Sequence, residues 1–170
     1  MTAHGYDDDW YDRQWDAHRA SREWDALEWE HGGPDDDLPE HPVGPVRTPD
    51  DALAVLLALV GAQRAGEPAL WFVMVDAQGY TLPTVLPITD VPLHADREVV
   101  RRLLDVLGSV LAEDGPGGSV LVGLVRAAGG DRGAFEESWT RSLREGADAI
   151  GMRLWGVAAI GQSRARMLEW

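Results

Sequence analysis

The chain has 170 residues, 45% of them hydrophobic, and a formal net charge of −14. It contains no cysteine, which excludes disulfides, thiolate metal sites and cysteine nucleophiles. The negative charge argues against direct binding to nucleic acid or to an anionic membrane, because both require positive potential. The length is typical of one domain with an appendage.

The beginning of the chain has neither the basic nor the apolar region of a signal peptide. The longest apolar run, residues 52–62, is shorter than the roughly 20 residues that span a bilayer. We therefore expect a cytoplasmic protein that has no membrane partner.

Most of the charge lies in the first 46 residues. Their 13 acids and 3 arginines give −10, whereas the 16 acids and 12 arginines of the remainder give −4. The first segment has almost no aliphatic residues and cannot form a core of its own, and residues 32–42 have the composition of a linker. The sequence thus predicts an acidic arm over 1–46, disordered or ordered as a helix by a partner, and a single domain over 47–170.

The arm holds half of the tryptophans of the chain, as two pairs with a five-residue step and an offset of 14: Trp10, Trp15, Trp24 and Trp29. One interpretation is a disordered acidic extension, or a helix that packs on its own domain. The other is a recognition segment in which these four residues bind a protein partner or a second copy of the chain. A further hypothesis is that the acidic arm imitates nucleic acid and blocks a basic partner.

The first half of the body predicts a helix followed by a hairpin. Residues 48–51 combine a cap, an early proline and acids, which is typical of a helix start, and this helix should end near Gly66. Residues 70–75 predict a buried strand, 76–79 a turn and 80–88 a second strand. Pro83 and Pro87 suggest that this second strand is an edge strand or an irregular strand.

The second half predicts alternating helices and strands: a helix over 95–113, a strand over 119–125, a helix over 132–149 and a strand over 153–160. The resulting order is α-ββ-α-β-α-β. We expect an α/β (α+β) fold with a single mixed sheet flanked by helices.

This order, together with the patches 71–76, 97–100, 120–125, 129–131 and 151–155, resembles the JAB/MPN metalloprotease-like fold in its RadC-type branch, over about residues 50–168. That family binds zinc through His-x-His on a strand and an Asp ten residues later. Here the corresponding positions hold Leu124, Arg126 and Glu137. Leucine and arginine do not ligate zinc, so the resemblance implies a member that lacks the metal site and has no cofactor.

Two consequences of the resemblance concern single residues. Glu67 stands near the position of the family's general-base glutamate, but without a metal it has no water to activate. Arg126 and Glu137 either form an ion pair that fills the former metal pocket or are two exposed charges.

Other candidates for chemistry remain beside the resemblance. His94 is flanked by Asp90 and Asp96, which suggests a metal or acid–base site, although a histidine in a loop before a helix has the same pattern. A small hydrolase that uses Glu67, His94 and neighbouring acids is therefore the alternative to our main hypothesis. The main hypothesis is a non-catalytic interaction or regulatory protein. It would act through its arm. The arm could also bind to basic residues of the C-terminal part, in the same chain or in a neighbouring subunit: Arg141, Arg144, Arg153, Arg164 and Arg166.

Overall fold

The computed structural model describes residues 44–170, which form three α-helices and five strands. The helices are α1 (Pro49–Val60), which continues into a 3-10 turn (Gly61–Ala65), α2 (Arg97–Asp114) and α3 (Ala134–Ile150). The strands are β1 (Ala69–Val75), β2 (Thr81–Thr89), β3 (Ser119–Val125), β4 (Leu154–Ile160) and β5 (Ala165–Glu169).

The strands form one mixed sheet in the order β2-β1-β3-β4-β5. Strands β3 and β4 are parallel and are connected through α3, whereas the other neighbours pair antiparallel. The two inner strands β1 and β3 are buried along their whole length, as their uninterrupted apolar sequences predict.

Helices cover both faces of this sheet. On one face, α2 and α3 pack through apolar stripes with helical spacing, which are Val100, Leu104, Leu107 and Leu111 in α2, and Phe135, Trp139, Leu143 and Ala147 in α3. On the other face, α1 packs on β1, β3 and β4 together with Val46, whose N–H donates to the carbonyl of Gly79 at 2.7 Å. The sheet is the middle layer of three.

Local signals set the helix ends. Thr48 and Asp51 form a capping box at the start of α1, and the carboxylate of Asp96 accepts hydrogen bonds from the N–H groups of Glu98 and Val99 at the start of α2. Helix α1 ends at Val60, six residues before Gly66, because Gly61 adopts φ 48° and the chain tightens into the 3-10 turn.

The predicted fold class is confirmed: the structure has a single mixed sheet flanked by helices, in the order α-ββ-α-β-α-β, followed by β5. Strand β2 lies at an edge, as its prolines predict. Strand β5 was not predicted, because its five residues mix charged and apolar side chains and its pairing with β4 is not visible locally. Within residues 44–170, no helix has the length and apolar character needed to cross a membrane.

Candidate functional site

The carboxyl end of β3 is where the resemblance places the former metal site. Leu124 is fully buried in the core beneath α2 and α3, and Arg126 follows the last residue of the strand. Parallel strands β3 and β4 end side by side here, since the N–H of Arg126 donates to the carbonyl of Ile160 at 3.0 Å. In open α/β sheets, this edge is where ligands bind.

An ion pair occupies this position. Nη2 of Arg126 lies 3.1 Å from both carboxylate oxygens of Glu136, which is 0% exposed, while the arginine side chain is 28% exposed. The N–H of Gly133 donates to the same carboxylate at 3.1 Å, and the guanidinium carbon lies 5.6 Å from the centroid of the Phe135 ring. These contacts hold Arg126 against the first turn of α3.

Of the two alternatives for Arg126 and Glu137, the ion pair is wrong by one residue, because the partner of Arg126 is Glu136 and Glu137 is exposed. Because α3 begins at Ala134, Glu136 occupies its third position, where an acidic side chain turns back toward the helix start and bonds to Gly133. Glu137 points about 100° further around the helix and is exposed. An acid at the third helical position is a sequence signal for this contact, but the predicted helix start at residue 132 placed Glu136 at the fifth position.

Glycine backbone fills the remaining space at this end of the sheet. A Cβ atom on Gly161 would overlap the carbonyl of Gly129, and one on Gly129 would lie 2.8 Å from the carbonyl oxygen of Arg126. The N–H of Gln162 donates to Ala127, and Nε of Arg64 donates to the carbonyl of Gly161 at 2.9 Å. The loops after β3 and β4 therefore pack directly on each other at the position where a substrate would enter.

The residues of the alternative hydrolase site lie elsewhere and are exposed. Glu67 precedes β1 and His94 follows β2. A hydrogen bond from the N–H of Val91 to the carbonyl of Pro68 joins these two connecting segments. Asp96 caps α2, and Asp90 adopts φ 57° at the end of β2. Across residues 44–170, no three histidines or acids come together in a way that could hold a metal ion.

Most of the predicted basic set has acidic neighbours. Arg164 and Arg166 lie 3.5 and 3.2 Å from the Asp131 carboxylate, and Arg144 lies 3.0 Å from Glu169. The backbone N–H of Arg132, together with these two arginines, lowers the pKa of Asp131. Three of the five arginines thus have an acidic partner within the domain, whereas Arg141 and Arg153 form no ion pair with the residues that the structure describes.

A groove lies between α3 and β5, with a volume of about 440 Å³. Sequence reasoning missed this cavity, because it depends on the unpredicted strand β5. Its wall on α3 carries Glu137, Arg141 and Glu145, and Leu168 and Glu169 line it from β5. The pair formed by Arg144 and Glu169 connects the two walls.

The four tryptophans predicted to bind a partner, Trp10, Trp15, Trp24 and Trp29, lie outside the described residues. Comparison of the chain with protein-family models, with curated proteins and with solved structures found no match in any of the three.

Proposed function

We propose that this chain is a non-catalytic interaction protein. Its acidic, tryptophan-rich arm, residues 1–46, would bind a protein partner or a second copy of the chain, in the cytoplasm. The folded domain would be a metal-free relative of the JAB/RadC-like domains that the sequence resembles. The observation that carries this proposal is the packing at the carboxyl ends of β3 and β4.

That packing leaves the usual ligand position filled by the protein itself. The charge of Glu136 is engaged by Arg126 and by the N–H of Gly133, and the loops that would frame a substrate are in van der Waals contact at Gly129 and Gly161. A hydrolytic site needs an open position for water and substrate next to its catalytic groups. The geometry therefore argues against catalysis at this end of the sheet.

The composition of the arm supports its role as the binding element. It carries −10 of the net charge of −14 and four of the eight tryptophans, each of them close to an acid in sequence. Tryptophan side chains contribute more binding energy at protein interfaces than most other residues. An acidic aromatic segment fits a partner surface that combines basic and apolar groups.

The test is capture from native lysate by immobilised full-length protein. We expect the captured protein to be lost when residues 1–43 are deleted, a boundary that keeps Val46 in the core. It should also be lost when Trp10, Trp15, Trp24 and Trp29 are replaced by alanine in the full chain. Trp170→Ala is the matched control, because this tryptophan is 71% exposed and lies at the other end of the chain. Capture that is unchanged in the truncated and substituted proteins would refute the proposal.

Two further measurements separate the alternatives. A stoichiometric divalent metal in the purified protein would favour the hydrolase, with Glu67 and His94 as the residues to substitute first. Capture of a DNA-binding protein that weakens steeply with salt would favour imitation of nucleic acid by the arm.

A further inference from the structure

The groove between α3 and β5 lies at an edge of the sheet. In the described part of the chain, β5 pairs with β4 on one side only. The N–H of Gly161 donates to the carbonyl of Arg164 at 2.8 Å, and the next pair along the strands is Ile160 with Ala165. Because bonded and non-bonded pairs alternate in antiparallel strands, the backbone groups of Ala165 face away from β4 and toward the open edge.

The two edges of the sheet differ in their capacity to accept another strand. Strand β2 contains Pro83 and Pro87, which lack the N–H that a paired strand needs, whereas β5 contains no proline. The backbone of Met167, which pairs with Ala158, has the same outward orientation as that of Ala165. Strand β5 therefore offers the N–H and C=O groups of Ala165 and Met167 at its open edge, while the carbonyl of Leu168 already accepts a hydrogen bond from Nη2 of Arg132 at 3.2 Å.

Charges of alternating sign line the helix side of this groove. Glu137, Arg141 and Glu145 are exposed and follow each other at intervals of four residues along α3. Four helical residues rise about 6 Å, and alternate residues of an extended chain lie about 6.6 Å apart. Within residues 44–170, Glu137 and Arg141 form no ion pair, and Glu145 lies 3.8 Å from the highly exposed Arg97. Such an exposed contact contributes little, so Glu145 remains accessible to a ligand.

An unpartnered hydroxyl is buried in the wall of the groove. Thr140 is 7% exposed, lines the cavity, and its Oγ1 has no hydrogen-bond partner among the described residues. Buried polar groups normally have a partner, and an unsatisfied one costs about 1–3 kcal/mol. Because Oγ1 itself is inaccessible to solvent, a ligand in the groove would contact the rest of the Thr140 side chain and not this hydroxyl.

We propose that the groove between α3 and β5 binds an extended peptide of another protein. The peptide adds to the edge of β5 through backbone hydrogen bonds, and its alternate side chains are basic, acidic and basic, opposite Glu137, Arg141 and Glu145. The run basic-x-acidic-x-basic occurs nowhere in the 170 residues, including the arm. The partner strand therefore comes from a different protein and not from a second copy of this chain.

This site is separate from the proposed role of the arm. The arm is strongly acidic, whereas the groove selects a peptide of mixed charge. Loss of binding by the arm variants would leave peptide binding intact, so the two proposals fail independently.

The experiment compares two fluorescent ten-residue peptides by anisotropy, with the full-length protein at low salt. One carries Lys-x-Glu-x-Lys and the other Glu-x-Lys-x-Glu, on the same host of threonine and valine. We expect the first to bind at least about tenfold more tightly, because three charge pairs change sign. A variant with Glu137→Arg, Arg141→Glu and Glu145→Arg should reverse that preference.

Two controls address the mode of binding. N-methylation of alternate peptide amides on the strand side should abolish binding, whereas methylation on the opposite side should not, because only one set of amides faces β5. Equal affinity for the two peptides, an unchanged preference in the charge-swapped variant, or a dimer joined through β5 would overturn the proposal.

Discussion

Nη2 of Arg126 lies 3.1 Å from each carboxylate oxygen of Glu136, across the ten residues between the end of β3 and the first turn of α3. Glu136 is the only acidic residue among those described that is fully buried, so its charge depends on this one guanidinium and on the N–H of Gly133. Ions removed from water are tolerated only when paired in this way. The pair therefore fixes the start of α3 against the sheet.

Replacement of Arg126 by methionine should lower the free energy of unfolding by about 3 kcal/mol, because it leaves the buried charge of Glu136 without its partner. The double variant Arg126→Met with Glu136→Leu should recover most of that loss. Urea unfolding measures both. Arg101→Ala, which removes an exposed ion pair with Glu98, is the control and should change stability by less than about 1 kcal/mol. A single variant as stable as the wild type would show that the pair does not hold α3 in place.

Alanine at two glycines should have opposite effects on stability. Gly161→Ala should destabilise the protein by about 2 kcal/mol or more, because its Cβ would overlap the carbonyl of Gly129. Gly108→Ala should stabilise it by about 0.5–1 kcal/mol, because Gly108 lies inside α2 and a Cβ there would approach no atom more closely than Ile150 Cδ1, at 4.0 Å. Thermal unfolding compares the two variants, and effects of the same sign would contradict the packing described.

Two hydroxyls on α3 provide a matched pair. Ser138 Oγ accepts a hydrogen bond from the N–H of Ala95 at 3.0 Å, whereas Thr140 Oγ1 has no partner within the described residues. Ser138→Ala should lower the free energy of unfolding by about 1 kcal/mol, and Thr140→Val should leave it unchanged or raise it by up to about 1 kcal/mol. Equal destabilisation by the two substitutions would show that Thr140 Oγ1 has a hydrogen-bond partner, and would contradict this prediction.

Low pH should weaken the ion pairs that Glu98 forms with Arg101 and Arg102 on α2. Hydrogen bonds from Arg101 and then Arg102 lower the pKa of Glu98 to about 2, from an ordinary value of 4.5. A carboxyl group with a depressed pKa contributes stability above its unfolded pKa, and this contribution is lost as the pH falls through the folded value. The stability advantage of the wild type over Glu98→Gln should therefore shrink between pH 4.5 and pH 2.

Titration of the side-chain carboxyl carbon of Glu98 by NMR measures its pKa directly, and a midpoint near pH 4.5 would contradict the lowered value. High salt should move the midpoint upward, since Glu98 and its arginines are exposed to solvent.

The sequence by itself was sufficient for the class of fold and for most element positions. The apolar runs of β1 and β3, the stripe of α2 and the cap at Thr48 each depend on residues within a single helix or strand. Such short-range patterns are readable without the rest of the molecule. The concentration of charge in the arm is likewise a property of the sequence alone.

Only the tertiary structure decided which side chains meet. The resemblance left Glu137 either paired with Arg126 or exposed, but the position at which α3 begins turns Glu136 inward and makes it the partner. Strand β5 and its groove exist because β4 offers an edge on which five residues of mixed character can pair. Pairing between distant segments depends on register and on the faces that packing leaves open, and local periodicity carries no information about either.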